Sequence, residues 1–190
     1  MIHRIHSVAV YYLVMQIQTV KQINTLPSST RAHIAENMRE RIYATITLLA
    51  VIAAHWQTVT HHSVRGTVLA IAGAVIALWM ATLISARMSY RAVHGKIVES
   101  TEYRRIMFTS AGLLAPAVTP IILVLLAVTG LYSLATALLL SMVVLLLSLF
   151  LFSFSAGLKI YTSKWRLLAV SLLEMAVGIG VIVLKLLVGE

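Results

Sequence analysis

The chain has 190 residues and a mass of 20.8 kDa, and 60% of its residues are apolar, whereas an ordinary soluble domain is roughly 45–50% apolar. It carries 15 Lys and Arg, 6 Glu and no Asp, and most of these charges lie outside the long apolar segments. This composition excludes a water-soluble fold and indicates an all-α, polytopic membrane protein.

The net charge of +9 does not indicate nucleic-acid binding, because an excess of Lys and Arg in a membrane protein usually reports its orientation. The chain has no Cys, which removes thiolate metal sites and Cys nucleophiles. No phosphate-binding glycine loop, nucleophile elbow or paired-carboxylate motif is present in the sequence. We therefore predict that the protein is not an enzyme and uses no cofactor.

Residues 1–41 are predicted to form cytoplasmic or interfacial helices. Residues 5–20 are too short to span a membrane and resemble an interfacial helix. Residues 30–41 follow Pro27 and two serines, which favour the start of a helix. We expect this second helix to continue into the first membrane span.

Residues 42–190 are predicted to form a transmembrane domain of five helices, because a span needs about 20 mainly apolar residues. The helices are expected at about 42–57, 68–86, 106–129, 131–154 and 167–188. The third contains Pro116 and Pro120, so we expect a bend or a broken hydrogen-bond ladder there. The mixed-charge segment 87–105 is predicted to be a cytoplasmic helical insertion with a break at Gly95.

Orientation follows from Lys and Arg in the connections, because these residues stay on the cytoplasmic side. With the N-terminus inside, thirteen of the basic residues lie on the inner side, and only Arg65 and Lys185 lie outside. We therefore predict an inner N-terminus and an outer C-terminus. The expected location is a bacterial cytoplasmic membrane.

Glu174 is a carboxyl group in the fifth predicted span, about 12 Å beyond Arg166 at the standard helical rise. Such a group costs several kcal/mol if it is ionised and faces lipid, so it should face protein or water. It could serve as a proton-relay or cation-site residue, or it could be a neutral carboxyl bonded to a neighbouring helix. Met80 and Met175 lie at similar depths and could be soft ligands, although Met in apolar helices usually fills packing gaps.

Several segments resemble the vacuolar iron transporter family. The stretch Ala72–Arg91 is similar to the family's second helix, and Met80 falls on its methionine. Pro116 and Pro120 resemble the proline-bearing third helix, and Leu149–Gly189 looks like the last two helices. The resemblance implies five spans and a dimer that carries ferrous or manganous ions past acids on helices one and two, the methionine and inner glutamates.

The sequence departs from that family at the acidic positions. The first span contains no acid, and the residue four positions past Met80 is Ile84 instead of a carboxylate. The insertion offers only Glu99 and Glu102. Hard divalent ions need several oxygen ligands, so most of the implied metal path is missing.

Three functions remain open from the sequence. The first is transport of a divalent metal (Fe or Mn) or proton-coupled transport of a cation, with Glu174, Met80 and Met175 at the site and Glu99 and Glu102 as the inner access point. The second is a non-transporting accessory or scaffold subunit of a larger membrane complex. A third reading is lipid handling by the basic inner face. The expected partners are the lipid bilayer, a second copy or a larger complex and a divalent cation, without nucleic acid.

Overall fold

A computed structural model of the protein describes residues 28–158 and 163–188, and these residues are helical with short connections. The interfacial helix expected at residues 5–20 lies outside the described residues. Six α-helices follow one another: α1 (Ser28–Gln57), α2 (Val64–His94), α3 (Ser100–Ser110), α4 (Ala115–Leu126), α5 (Leu134–Gly157) and α6 (Lys164–Val188). Short 3₁₀ segments join α3 to α4 at Ala111–Leu114 and follow α4 at Ala127–Thr129.

Four helical stretches of the described chain are long and apolar enough to cross a membrane. They are Val64–His94, Ser100–Thr129, Leu134–Gly157 and Lys164–Val188, and they overlap the second to fifth predicted spans. Large apolar side chains such as Leu69, Leu173 and Leu184 are exposed on their outer faces. These helices indicate a membrane-embedded protein, because lipid can cover apolar faces that water cannot.

Helix α1, which holds the first predicted span, is not among these four. Its apolar segment is interrupted by two threonines and ends in His55, Trp56 and Gln57, which lowers its mean hydropathy. This helix nevertheless forms the centre of the bundle and packs against each of the other five. Its inward residues are fully buried: Ala44, Leu48, Leu49, Ile52 and Ala53.

The charged segment 87–105 is divided between two helices. Helix α2 continues without a break to His94, and Gly95 ends it in the left-handed conformation with φ of 61°. Its N–H bonds the Arg91 carbonyl at 2.9 Å, which satisfies the end of the helix. After four more residues α3 begins at Ser100 and packs back against α2, so segment 87–105 forms the tip of a helical hairpin.

The helical ladder changes just ahead of Pro116. The 3₁₀ segment Ala111–Leu114 separates α3 from α4, and Pro116 lies in the first turn of α4. Proline lacks an N–H, and it is tolerated best in the first turn of a helix. Pro120 lies inside α4 and is buried.

The end of the bundle opposite the α2–α3 hairpin tip is closed by polar contacts. Gln57 Nε2 donates to the Leu186 carbonyl at 3.2 Å, so the C-terminal ends of α1 and α6 lie side by side and the two helices run in the same direction. The Tyr132 hydroxyl donates to the Leu123 carbonyl at 2.7 Å.

Candidate functional site

A cavity of about 400 Å³ opens where the first half of α1, the last third of α2 and α3 meet. Most of its polar lining is concentrated in glutamates and hydroxyls from these three helices. Its lining includes Glu36, Arg39, Glu40, Glu102 and Ser110. The described chain brings three of its glutamates to the wall of this single space.

Glu40 is the buried acid of the cavity. Only 5% of its surface is exposed, and its Oε2 has no hydrogen-bond partner. A carboxylate oxygen that is removed from water and left unbonded is costly, so it favours a proton or a cation. Glu40 precedes Ile42, the first residue of the first predicted span, by two positions, which puts the carboxyl at the predicted inner interface.

The surroundings of Glu40 favour its neutral form. Burial raises the pKa of the Glu40 carboxyl above its ordinary value of 4.5, and the charge of Glu36 raises it further. The charge of Arg39 and a hydrogen bond from Ser110 act in the opposite direction and are smaller. Glu40 therefore holds a proton more readily than an exposed glutamate does.

Glu36 lies one turn before Glu40 on α1 and is exposed at the rim of the cavity. It pairs loosely with Arg39, whose Nη2 is 3.8 Å from Glu36 Oε1. Across residues 28–158 and 163–188, no three His, Cys, Asp or Glu side chains are close enough to hold one metal ion. The cavity therefore supplies separate carboxylates around a polar space.

The sequence-predicted residues do not come together at one site. Glu102 lines the cavity with Glu40, whereas Glu99 is exposed in the loop before α3. Met80 is 53% exposed on α2. Glu174 is exposed on the outer surface of α6 and Met175 is half-buried, and in the described chain α2 and α6 share no extensive packing.

The histidines at the end of α1 and in the α1–α2 loop form a small cluster at the end opposite the cavity. The rings of His55 and His62 stack with centroids 4.6 Å apart, and His62 Nε2 lies 3.0 Å from the Thr58 hydroxyl. His61 is exposed. These contacts hold the α1–α2 loop against the end of α1. We therefore take the carboxylate cavity as the candidate site.

Sequence reasoning did not select Glu36 and Glu40. A signal was available, because the two acids are four residues apart and so share a face of a helix immediately before an apolar segment. Ser110, the hydrogen-bond partner of Glu40, lies 70 positions beyond it in the chain, and no local pattern connects the two.

Comparisons with known protein families, with curated protein sequences and with solved structures find no match to this chain.

Proposed function

We propose that this protein is a proton-coupled cation transporter of the membrane, in which Glu40 exchanges a proton for the transported cation. The observation that supports this most directly is the buried Glu40 carboxyl, whose Oε2 has no partner and which shares a cavity with Glu36 and Glu102. Manganous and ferrous ions are the first substrates to test, because carboxylate and hydroxyl oxygens suit such ions.

The exchange follows from the electrostatics of the cavity. When the cavity holds no cation, burial and the neighbouring Glu36 favour the protonated form of Glu40. A cation entering beside Glu36 and Glu102 favours the ionised form, so the proton leaves as the cation binds. Binding of one species then opposes binding of the other, which is the requirement for coupled exchange.

The proposal includes a topology of five spans with an inner N-terminus and an outer C-terminus. Helix α1 is surrounded by the four apolar stretches, so we propose that it crosses the membrane among them. Its carboxyl-terminal end lies beside that of α6 through the bond from Gln57 to Leu186. The basic residues of the α2–α3 tip then lie inside, as the positive-inside rule requires. A bacterial cytoplasmic membrane is the proposed location.

The resemblance to vacuolar iron transporters belongs to the same proposal. It agrees with a cation substrate and with a dimer, while the cavity acids Glu36 and Glu40 on α1 lie before the first predicted span. We therefore propose a distant relationship in which the cation is first bound at the inner end of the bundle.

The decisive experiment measures manganous and ferrous uptake into proteoliposomes under an imposed pH gradient. Glu40→Gln should lower uptake at limiting cation roughly tenfold or more, because a charged partner contributes about 1.5–3 kcal/mol. Glu99→Gln is the matched control, because Glu99 is an exposed glutamate that does not line this cavity. Equal uptake by wild type and Glu40→Gln, or no flux through folded wild type, would contradict the proposal.

The second candidate is a non-transporting accessory or scaffold subunit, and the outward position of Glu174 favours it. Glu174 lies ten residues after Lys164 and is exposed, about 15 Å along the apolar helix. A carboxyl at that depth is costly against lipid. A second copy or another membrane subunit that covers α6 would remove this cost. Absence of flux together with a stable assembly through α6 would support this function.

A further inference from the structure

A second cavity, also about 400 Å³, lies against the inner end of α2 and is separate from the glutamate cavity. Its lining comes from α2, from the loop after Gly95 and from the first turn of α3. The six lining residues are Arg87, Arg91, Ile97, Val98, Ser100 and Tyr103. None of these six is acidic, so the cavity is positively charged.

The two guanidinium groups are placed to bind an anion. Arg87 and Arg91 are one helical turn apart and therefore project from the same face of α2. The Arg87 guanidinium carbon lies 5.5 Å from the centre of the Tyr103 ring, a cation–π contact that holds it over α3. Planar guanidinium groups bind phosphate oxygens in pairs, and the Ser100 hydroxyl adds a further donor in the same cavity.

The depth of the cavity matches the headgroup layer of a membrane. Arg65 and Arg87 are 22 residues apart on the continuous helix α2, which corresponds to roughly 33 Å. The hydrocarbon layer of a bilayer is about 30 Å thick. When Arg65 lies at the outer interface, Arg87 reaches the inner interface and Arg91 lies one turn beyond it.

Apolar side chains beside the arginines indicate a lipid in preference to a free phosphate. Ile97 and Val98 line the cavity, and Ile97 is 77% exposed. Free phosphate offers nothing to cover these side chains. A phospholipid covers them with its glycerol and upper acyl segments while its phosphate faces the guanidinium groups.

We propose that this cavity binds the phosphate headgroup of an anionic phospholipid from the inner leaflet. The lipid would bridge α2 and α3 at the tip of their hairpin. This site is independent of the cation exchange proposed for Glu40 and would be present even if the protein transports nothing.

The test is a lipid titration of the delipidated, full-length protein in detergent, followed by native mass spectrometry. Phosphatidylglycerol should bind more tightly than phosphatidylcholine. The double variant Arg87→Gln with Arg91→Gln should lose roughly thirtyfold in phosphatidylglycerol affinity, from about 1 kcal/mol per basic residue. Arg65→Gln, at the opposite end of the same helix, should bind like the wild type.

Competition with soluble phosphates distinguishes a lipid headgroup from free phosphate, and the variants test the site itself. Inorganic phosphate and glycerol phosphate should displace phosphatidylglycerol only weakly; displacement at equal concentration would overturn the lipid assignment. Unchanged affinity in the double variant, or an equal loss in Arg65→Gln, would overturn the site. If the double variant does not elute as a folded protein, Arg91→Gln alone should weaken binding about fivefold.

Discussion

Asn37 of α1 packs directly against the backbone of Gly112, so closely that a β-carbon at position 112 would lie 2.7 Å from the Asn37 side-chain carbon. This contact joins α1 to the 3₁₀ segment between α3 and α4, beside Ser110 and the cavity that holds Glu40. Because residue 112 has no side chain, α1 and the 3₁₀ segment can lie close together beside the cavity.

We expect Gly112→Ala to displace the Asn37 amide and to destabilise the protein by about 1–3 kcal/mol, the usual cost of overpacking. Thermal unfolding in detergent measures the loss. Gly73→Ala is the control, because nothing lies within 4 Å of a β-carbon there, and it should be neutral or slightly stabilising. Equal behaviour of the two variants would show that the Asn37 contact can relax without cost.

The pH dependence of stability should change when Glu40 is neutralised. Burial raises the pKa of Glu40 above 4.5, so the folded protein favours its protonated form. This contribution to stability is complete below pH 4.5 and is lost as the pH rises through the raised pKa. We expect the melting temperature of the wild type to fall over this range more steeply than that of Glu40→Gln.

Two comparisons complete the pH experiment. Glu99→Gln should keep the wild-type profile, because Glu99 lies in an exposed loop. Added manganous ion should restore stability to the wild type above this range and have less effect on Glu40→Gln. If the melting temperatures of the wild type and of Glu40→Gln change with pH in the same way, Glu40 is not the titrating group.

Gly178 allows α6 to approach both α5 and α1. A β-carbon at position 178 would lie 2.8 Å from Leu146, 2.9 Å from Leu149 and 3.2 Å from Leu49, measured to their terminal methyls. We expect Gly178→Leu to destabilise the bundle by roughly 1–3 kcal/mol or more, measured by thermal unfolding. Gly180→Leu, where nothing lies within 4 Å, should be tolerated, and a comparable loss there would contradict this packing.

Glu174 should matter for association between subunits. Because its carboxyl is exposed on an apolar helix, we expect its partner to come from another chain in the membrane. Glu174→Leu should weaken that association about tenfold, since a hydrogen bond between membrane helices contributes roughly 1–2 kcal/mol. Single-molecule photobleaching in vesicles measures the change, with the neighbouring Leu173→Ala as control. If the wild type and Glu174→Leu show the same distribution of subunit numbers, the Glu174 carboxyl contacts lipid or water and not another subunit.

Local patterns in the sequence predicted several features of the fold. Hydropathy located four apolar helical stretches among the five predicted spans. Gly95, predicted as a break within segment 87–105, ends α2, because glycine adopts the left-handed conformation that ends a helix. Pro116 and Pro120 indicated a break in the helical hydrogen-bond ladder, which the structure has as the 3₁₀ segment ahead of α4. Each of these features depends on residues close together in the chain.

The lateral arrangement of the helices could not be predicted in this way. Whether Glu174 faces a neighbour or the outside depends on how far α6 is rotated about its own axis, which is fixed by contacts such as Gly178 with Leu146. The same applies to Glu40, whose burial depends on α2 and α3 closing over α1. These contacts join distant parts of the chain, so an average over neighbouring residues carries no trace of them.

The central position of α1 has a consequence for biogenesis. The helix that every other helix touches is the first of the six to be synthesised, and its neighbours α5 and α6 begin only at Leu134 and Lys164. Because α1 is not among the stretches long and apolar enough to cross a membrane, a nascent chain that ends before α5 would lack the two helices that contact α1 most extensively. Insertion of α1 and completion of the chain should therefore be coupled, and ribosome-bound truncations should retain α1 stably only after α6 has emerged.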